Sequence, residues 1–276
     1  EMLQGDWSSD VCSSDLMTEE TNASESEIQI TPVEASVLLS GAEWDPKLLA
    51  TTLAQEWEIT VPEKDLPADA SESLVFEAEG AVIAVKLFEE PLPAEMARMH
   101  AAMNPLWPQA GAMAQLHRAH LAVAAIPKTA SLVESAQVLV KVVSSLCNQP
   151  SALAIDTGST ILGTDGYREG ATVMKGGELP LFNLVTFAIA KADETNFVAF
   201  TMGMSFLGHN ELEISPTAEK PEVIQEFLYT VASYTLKTGK GLRDGQILGL
   251  HPEKAQAVRY AESSMIPGLK TMQITL

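Results

Sequence analysis

Residues 131–156 read SLVESAQVLVKVVSSLCNQPSALAID, and this stretch decides the fold. Ser131 and Glu134 form an S-x-x-E capping box, in which each side chain satisfies a backbone N–H at a helix start. Leu132, Ala136, Leu139, Val143 and Leu146 then recur at spacings of three and four. That spacing lays one apolar stripe along a helix. Ala152–Ile155 follows as a short apolar strand. Helix and strand therefore alternate here, and the neighbouring elements decide how the pair is used.

On the N-terminal side, Val37–Ser40 reads as a strand. Asp45-Pro46 is an N-cap with proline at the first helical position. Leu49, Leu53 and Trp57 recur every fourth residue behind it. Leu74–Ala78 and Ala81–Phe88 flank Glu79-Gly80 as a hairpin. Pro93 opens a helix with Met96, Met99 and Met103 on one face, and Leu121–Ile126 is the next strand. The order strand, helix, strand, strand, helix, strand matches a ferredoxin-like βαββαβ unit. The fold class expected is α+β.

On the C-terminal side, glycine-rich residues 158–177 read as a long loop and a subdomain boundary. Leu184–Ala190 and Phe197–Phe206 follow as a hairpin, and Glu211–Ile214 as a short strand. Pro221–Gly239 is the main helix, and Ala257–Tyr260 and Thr271–Leu276 read as edge strands. The expected division is an N-terminal α+β subdomain over 33–180 and a C-terminal one over 181–276. The second is a mixed α/β unit of antiparallel strands and one helix.

The first sixteen residues, EMLQGDWSSDVCSSDL, have no basic start and no apolar core, so they do not read as a secretory signal. Back-translated, Asp6–Leu16 resembles a common synthetic sequencing adapter. Residues 1–16 are expected to be non-native, with Met17 as the first residue. Residues 17–32 read as an acidic, disordered tail.

The chain carries 37 acidic and 17 basic residues, a net charge of −20. Without Glu1, Asp6, Asp10 and Asp15 the balance is 33 to 17, still strongly acidic. Such a chain does not bind nucleic acid or anionic membranes through bulk charge, because phosphates reward Lys and Arg. It suits a basic protein partner. No run of about 18 apolar residues is present to span a membrane. Beyond Met17 one cysteine remains, Cys147, which fits the cytoplasm.

Asp156-Thr157-Gly158-Ser159, after two apolar residues, matches the aspartic-protease signature. That chemistry needs two carboxylates sharing a proton, and no second Asp-Thr-Gly or Asp-Ser-Gly occurs. The alternative is a turn after a strand. His117 and His120 are weak metal candidates, since a zinc set needs further ligands. His117 is expected to be solvated at a helix end and His120 packed. Together with Asp156 they are the residues a hydrolase or metalloenzyme would use. No phosphate loop, dinucleotide fingerprint or nucleophile elbow occurs, so no catalytic residue and no cofactor is assigned. Trp107, set between Pro105 and Pro108, is a candidate partner anchor. Glu211 and Glu213 share one face of a strand by alternation, facing a basic partner or water.

Thr201-Met202-Gly203-Met204-Ser205-Phe206-Leu207-Gly208-His209-Asn210-Glu211-Leu212-Glu213-Ile214, the helix at Pro221–Gly239 and Asp244-Gly245-Gln246-Ile247-Leu248-Gly249 together resemble a bacterial family, domain of unknown function 4261. The likeness covers about residues 185–275. That family has no assigned activity, so it implies no catalytic residue. More distantly, the Gly-Met-Ser stretch and following Glu-Leu resemble suppressor-of-fused-like domains, although the proline-rich segment expected between Met204 and Glu211 is missing. That likeness implies a protein-binding module, a class that includes immunity proteins. A structural subunit of a larger assembly is the alternative, and a hydrolase or metalloenzyme the second.

Overall fold

The computed structural model describes residues 31–251 and 254–276. The readings of 1–16 and of the tail up to residue 30 lie outside the described residues. The chain is α+β, built on two six-stranded sheets.

The first sheet holds β1 (Val33–Leu39), β2 (Leu74–Ala78), β3 (Ala81–Phe88), β4 (Ala119–Pro127), β5 (Ala152–Asp156) and β6 (Ile161–Gly163), in the order β2-β3-β4-β1-β5-β6. All its pairings are antiparallel. β1 is central, and Val37, Leu38 and Leu39 are all fully buried. Consecutive strand residues point to opposite faces, so both faces of this sheet are covered. Val37 and Leu39 meet the core beneath α1 (Pro46–Trp57) and α4 (Leu132–Leu146). Leu38 joins Ala154 and Ile161 under α2 (Ala94–Ala102) and α3 (Ala110–Leu116).

The βαββαβ order of elements is present, but the strand arrangement departs from the ferredoxin-like one. There β1 sits between β3 and β4; here β4 sits between β3 and β1. The cause is the position of α2–α3, which lie on the outer face over Leu38 instead of beside α1. α4 carries the chain from β4 to β5 across β1, so those two strands run parallel on either side of it.

The capping box at Ser131 forms as read. The stripe it opens is wider than expected, with Val138, Val140, Val142, Ser144 and Ser145 also buried. α4 is buried on more than one side because it packs on the first sheet and also against residues 205–208. A Cβ built on Gly208 would touch Leu132 at 3.4 Å.

The glycine-rich stretch is structured, contrary to the loop expected. It forms β6, α5 (Thr164–Ala171) and a 3-10 turn (Thr172–Gly176). Buried Tyr167 and Ala171, four apart, anchor α5. Two of its glycines serve close packing. A Cβ on Gly163 would lie 3.2 Å from the Trp107 ring, and one on Gly170 only 2.5 Å from Asn183 Oδ1.

The second sheet has the order β10-β11-β12-β9-β8-β7. Its strands are β7 (Thr186–Lys191), β8 (Phe197–Met202), β9 (Leu212–Thr217), β10 (Ile247–His251), β11 (Lys254–Glu262) and β12 (Lys270–Ile274). A four-residue helix, α6 (Leu181–Leu184), precedes β7, and α7 (Pro221–Thr238) packs on the β7–β9 side. The two C-terminal strands are not edges. β12 pairs antiparallel with β11 and parallel with β9, which places it inside the sheet. One apolar cluster runs from Val33 of β1 to Ile274 of β12.

Candidate functional site

Glu211 and Glu213 are buried, at 4% and 1% exposure, so neither is offered to a partner or to water. Glu211 stands just before β9 and Glu213 within it, and each carboxylate is taken up by its own set of donors. The Glu211 carboxylate accepts the hydroxyls of Thr201 and Ser205 and the backbone N–H groups of Gly203, Met204 and Ser205. It therefore fastens the turn between β8 and β9. Glu213 accepts from Ser263 Oγ, Ser264 N and Oγ, and Thr271 Oγ1. Burial alone would raise the Glu213 carboxyl. The hydrogen bonds from Ser263, Ser264 and Thr271 outweigh it and hold the group below its ordinary value.

His117 is buried and not solvated as expected. Its Nδ1 donates to Ala114 O at 2.6 Å, and its Nε2 accepts the Leu92 N–H at 2.9 Å. Burial pushes its pKa down, which agrees with this neutral, doubly engaged ring. His120 is packed, stacked on Phe88 at 5.0 Å with Nδ1 2.9 Å from Glu90 O. Both imidazoles hold the segment at 90–92 instead of converging. Among the described residues no group of three or more His, Cys, Asp or Glu is placed to hold a metal ion.

Asp156 ends β5 and begins a turn. Its Oδ1 accepts the Gly158 N–H at 2.8 Å, and Gly158 takes a φ of +81°. Its carboxylate also meets His100 Nδ1, at 2.8 and 2.9 Å. This buried His100–Asp156 pair ties α2 to β5. No local signal points to it, since 56 residues separate the two.

Trp107 lies half-buried in the α2–α3 turn, its ring against Gly163. It lines a hollow of about 380 Å³ with Leu106, Leu162, Asp165, Phe182 and Asn183. Leu106 is 89% exposed and Phe182 56%. Phe182 packs edge-on against Phe187 of β7 and beside Tyr229 of α7. Leu106 does not stand out in the sequence, although it neighbours Trp107 in a proline-bounded turn. Phe182 carried no signal. A second cleft, of about 510 Å³, is bounded by Ser205, His209, Asn210, Thr235, Gly239 and Gly241. Burial lowers the pKa of His209 there.

The fold and these sites define a two-sheet α+β protein in which exposed Leu106 and Phe182 line one hollow with Trp107. Residues 200–275 match the model of the domain of unknown function DUF4261. The match takes in the turn fastened by Glu211, the strand bearing Glu213, α7 and the larger cleft. No curated protein and no solved structure matches the chain. Among the described residues no helix is long and apolar enough to cross a membrane.

Proposed function

We propose that this is a non-catalytic protein-binding module of the cytoplasm, and that its partner docks at the hollow between Trp107 and Phe182. One observation carries the reading. Leu106 and Phe182 stand open to solvent and line one hollow with a half-buried tryptophan. Contiguous exposed apolar surface marks interaction sites, and a tryptophan in a pocket is a frequent anchor. The net charge of −20 favours a basic partner, which it steers toward the surface. An immunity-type role, neutralising a basic toxin, is one form of this activity.

The test is affinity capture from a bacterial lysate with the intact chain and with a Leu106→Asp/Phe182→Asp double variant. The expected result is a basic protein held in fixed stoichiometry by the first, released by high salt and absent from the second. Equal capture by both, with both folded, refutes the docking site.

A further inference from the structure

We infer that β7 is a docking edge at which a basic, extended segment of a partner protein adds a seventh strand to the second sheet. The inference rests on the protein-binding reading above and specifies the surface and the kind of segment it takes.

The backbone geometry sets the edge. β7 pairs with β8 from Thr186↔Met202 to Lys191↔Phe197. The N–H of Ala192 donates to Asn196 O at 2.9 Å on the same ladder. In an antiparallel pair, hydrogen-bonded positions alternate with open ones. Thr186, Ala188 and Ala190 therefore turn their backbone groups toward β8. Phe187, Ile189 and Lys191 turn theirs outward. No described residue bonds to these outward groups.

Edges of natural sheets are protected by charge, proline, bulges or brevity. β6, at one edge of the first sheet, is three residues long. β2, at the other, carries Glu77 paired with Lys128. β7 has six residues, TFAIAK, with no proline, no bulge against β8, and a single charge at its end. Its side chains are half-buried up to Ala190. The exposed ring of Phe182 packs on Phe187, so the edge and the hollow share one aromatic wall. A strand laid along β7 gains main-chain bonds at Phe187 and Ile189 and a pocket for an apolar side chain beside Phe182.

Charge selects the occupant. Asp193 and Glu194 follow β7 directly and are exposed, and Asp165 lines the hollow. A second copy of this chain would bring another net −20 to the same edge. A segment alternating apolar and basic residues fits both the edge and the field around it.

The probe is a capped peptide of alternating valine and lysine, added to the full chain while amide hydrogen exchange is followed residue by residue. Exchange at Phe187 and Ile189 is expected to slow by about tenfold or more at saturation, with other strands unaffected. A peptide with the same side chains but alternate amides N-methylated is expected to give no protection. A valine–glutamate peptide is expected to bind about tenfold more weakly or worse. The proposal is overturned by protection elsewhere, by equal protection from the methylated peptide, or by none at millimolar peptide. Protection that rises with protein concentration alone assigns the edge to a second copy and also overturns it. If protection fails while capture through Leu106 and Phe182 succeeds, the hollow binds its partner without strand addition, and only this inference is lost.

Discussion

The Glu211 carboxylate accepts the backbone N–H of Gly203 at 2.9 Å, across a turn that leads from β8 into β9. The same carboxylate takes two more N–H groups and two hydroxyls, so it replaces the water those donors lose on folding. Removing it strands buried donors, which costs far more than one hydrogen bond is worth. Glu211→Ala is expected to destabilise the chain by roughly 3–5 kcal/mol in urea unfolding. Glu211→Gln, which keeps one acceptor oxygen, is expected to lose about half of that. A loss below about 1 kcal/mol for the alanine variant means the turn is held by something else.

Gly203 itself is replaceable by no other residue. Its φ is +119°, and a Cβ would lie 2.3 Å from the Leu184 carbonyl oxygen. Gly203→Ala is therefore expected to cost roughly 3 kcal/mol or more, by strain and by backbone collision. Gly166 provides the contrast within the same chain. It sits in α5 with nothing within 4 Å of its would-be Cβ, so Gly166→Ala is expected to stabilise by about 0.5–1 kcal/mol. Thermal melts of the two variants, moving in opposite directions, check both.

Glu213 and His117 both give the stability an acid slope, beside the lowered Asp193 and His209. The Glu213 carboxyl lies below its ordinary value in the folded chain. Its contribution is complete above the unfolded value near 4.5 and disappears as pH falls through the lower folded value. His117 is also lowered, from 6.5. The folded state excludes its proton, so that contribution is complete above 6.5 and disappears as pH falls through the folded value. Urea midpoints measured from neutral to acid pH are expected to fall in these windows. Glu213→Gln is expected to reduce the lower slope, to which the lowered Asp193 also contributes, and to leave the upper one; an unchanged lower slope removes Glu213 as a source.

Burial pushes the Cys147 thiol up to about 12, and its Sγ donates to Val143 O at 3.2 Å. With Cys12 replaced by serine, a disulfide reagent at about pH 8 is expected to react no faster than the chain opens, because the thiolate is the reactive form. Rapid, complete labelling of the folded protein contradicts this placement.

The local signals in the sequence proved faithful. The Ser131 capping box, the Asp45-Pro46 helix start and the Glu79-Gly80 hairpin all depend on residues a few positions apart, and all form. What stayed hidden was decided at a distance. Nothing near β4 says that it pairs with both β3 and β1. Glycines at 163 and 170 looked like a loop because the Trp107 and Asn183 side chains they accommodate lie outside that stretch. Glu211 and Glu213 looked like surface charge because their donors belong to turns on either side of β9. The His100–Asp156 pair was hidden for the same reason. Trp107 stood out through its flanking prolines, whereas nothing around Phe182 marked it as exposed.

The parallel insertion of β12 between β9 and β11 sets a schedule for synthesis. The first sheet has all its strands once residue 163 has left the ribosome. The second cannot close until residues 270–274 arrive, about a hundred residues later by the same count. Through that interval β9 has its hydrogen-bonding side toward β12 vacant while β7 is open at the far edge, so the nascent half-sheet carries two sticky margins. The growing chain thus passes through a window in which a chaperone, or a partner already present, meets more open strand than the finished molecule ever shows.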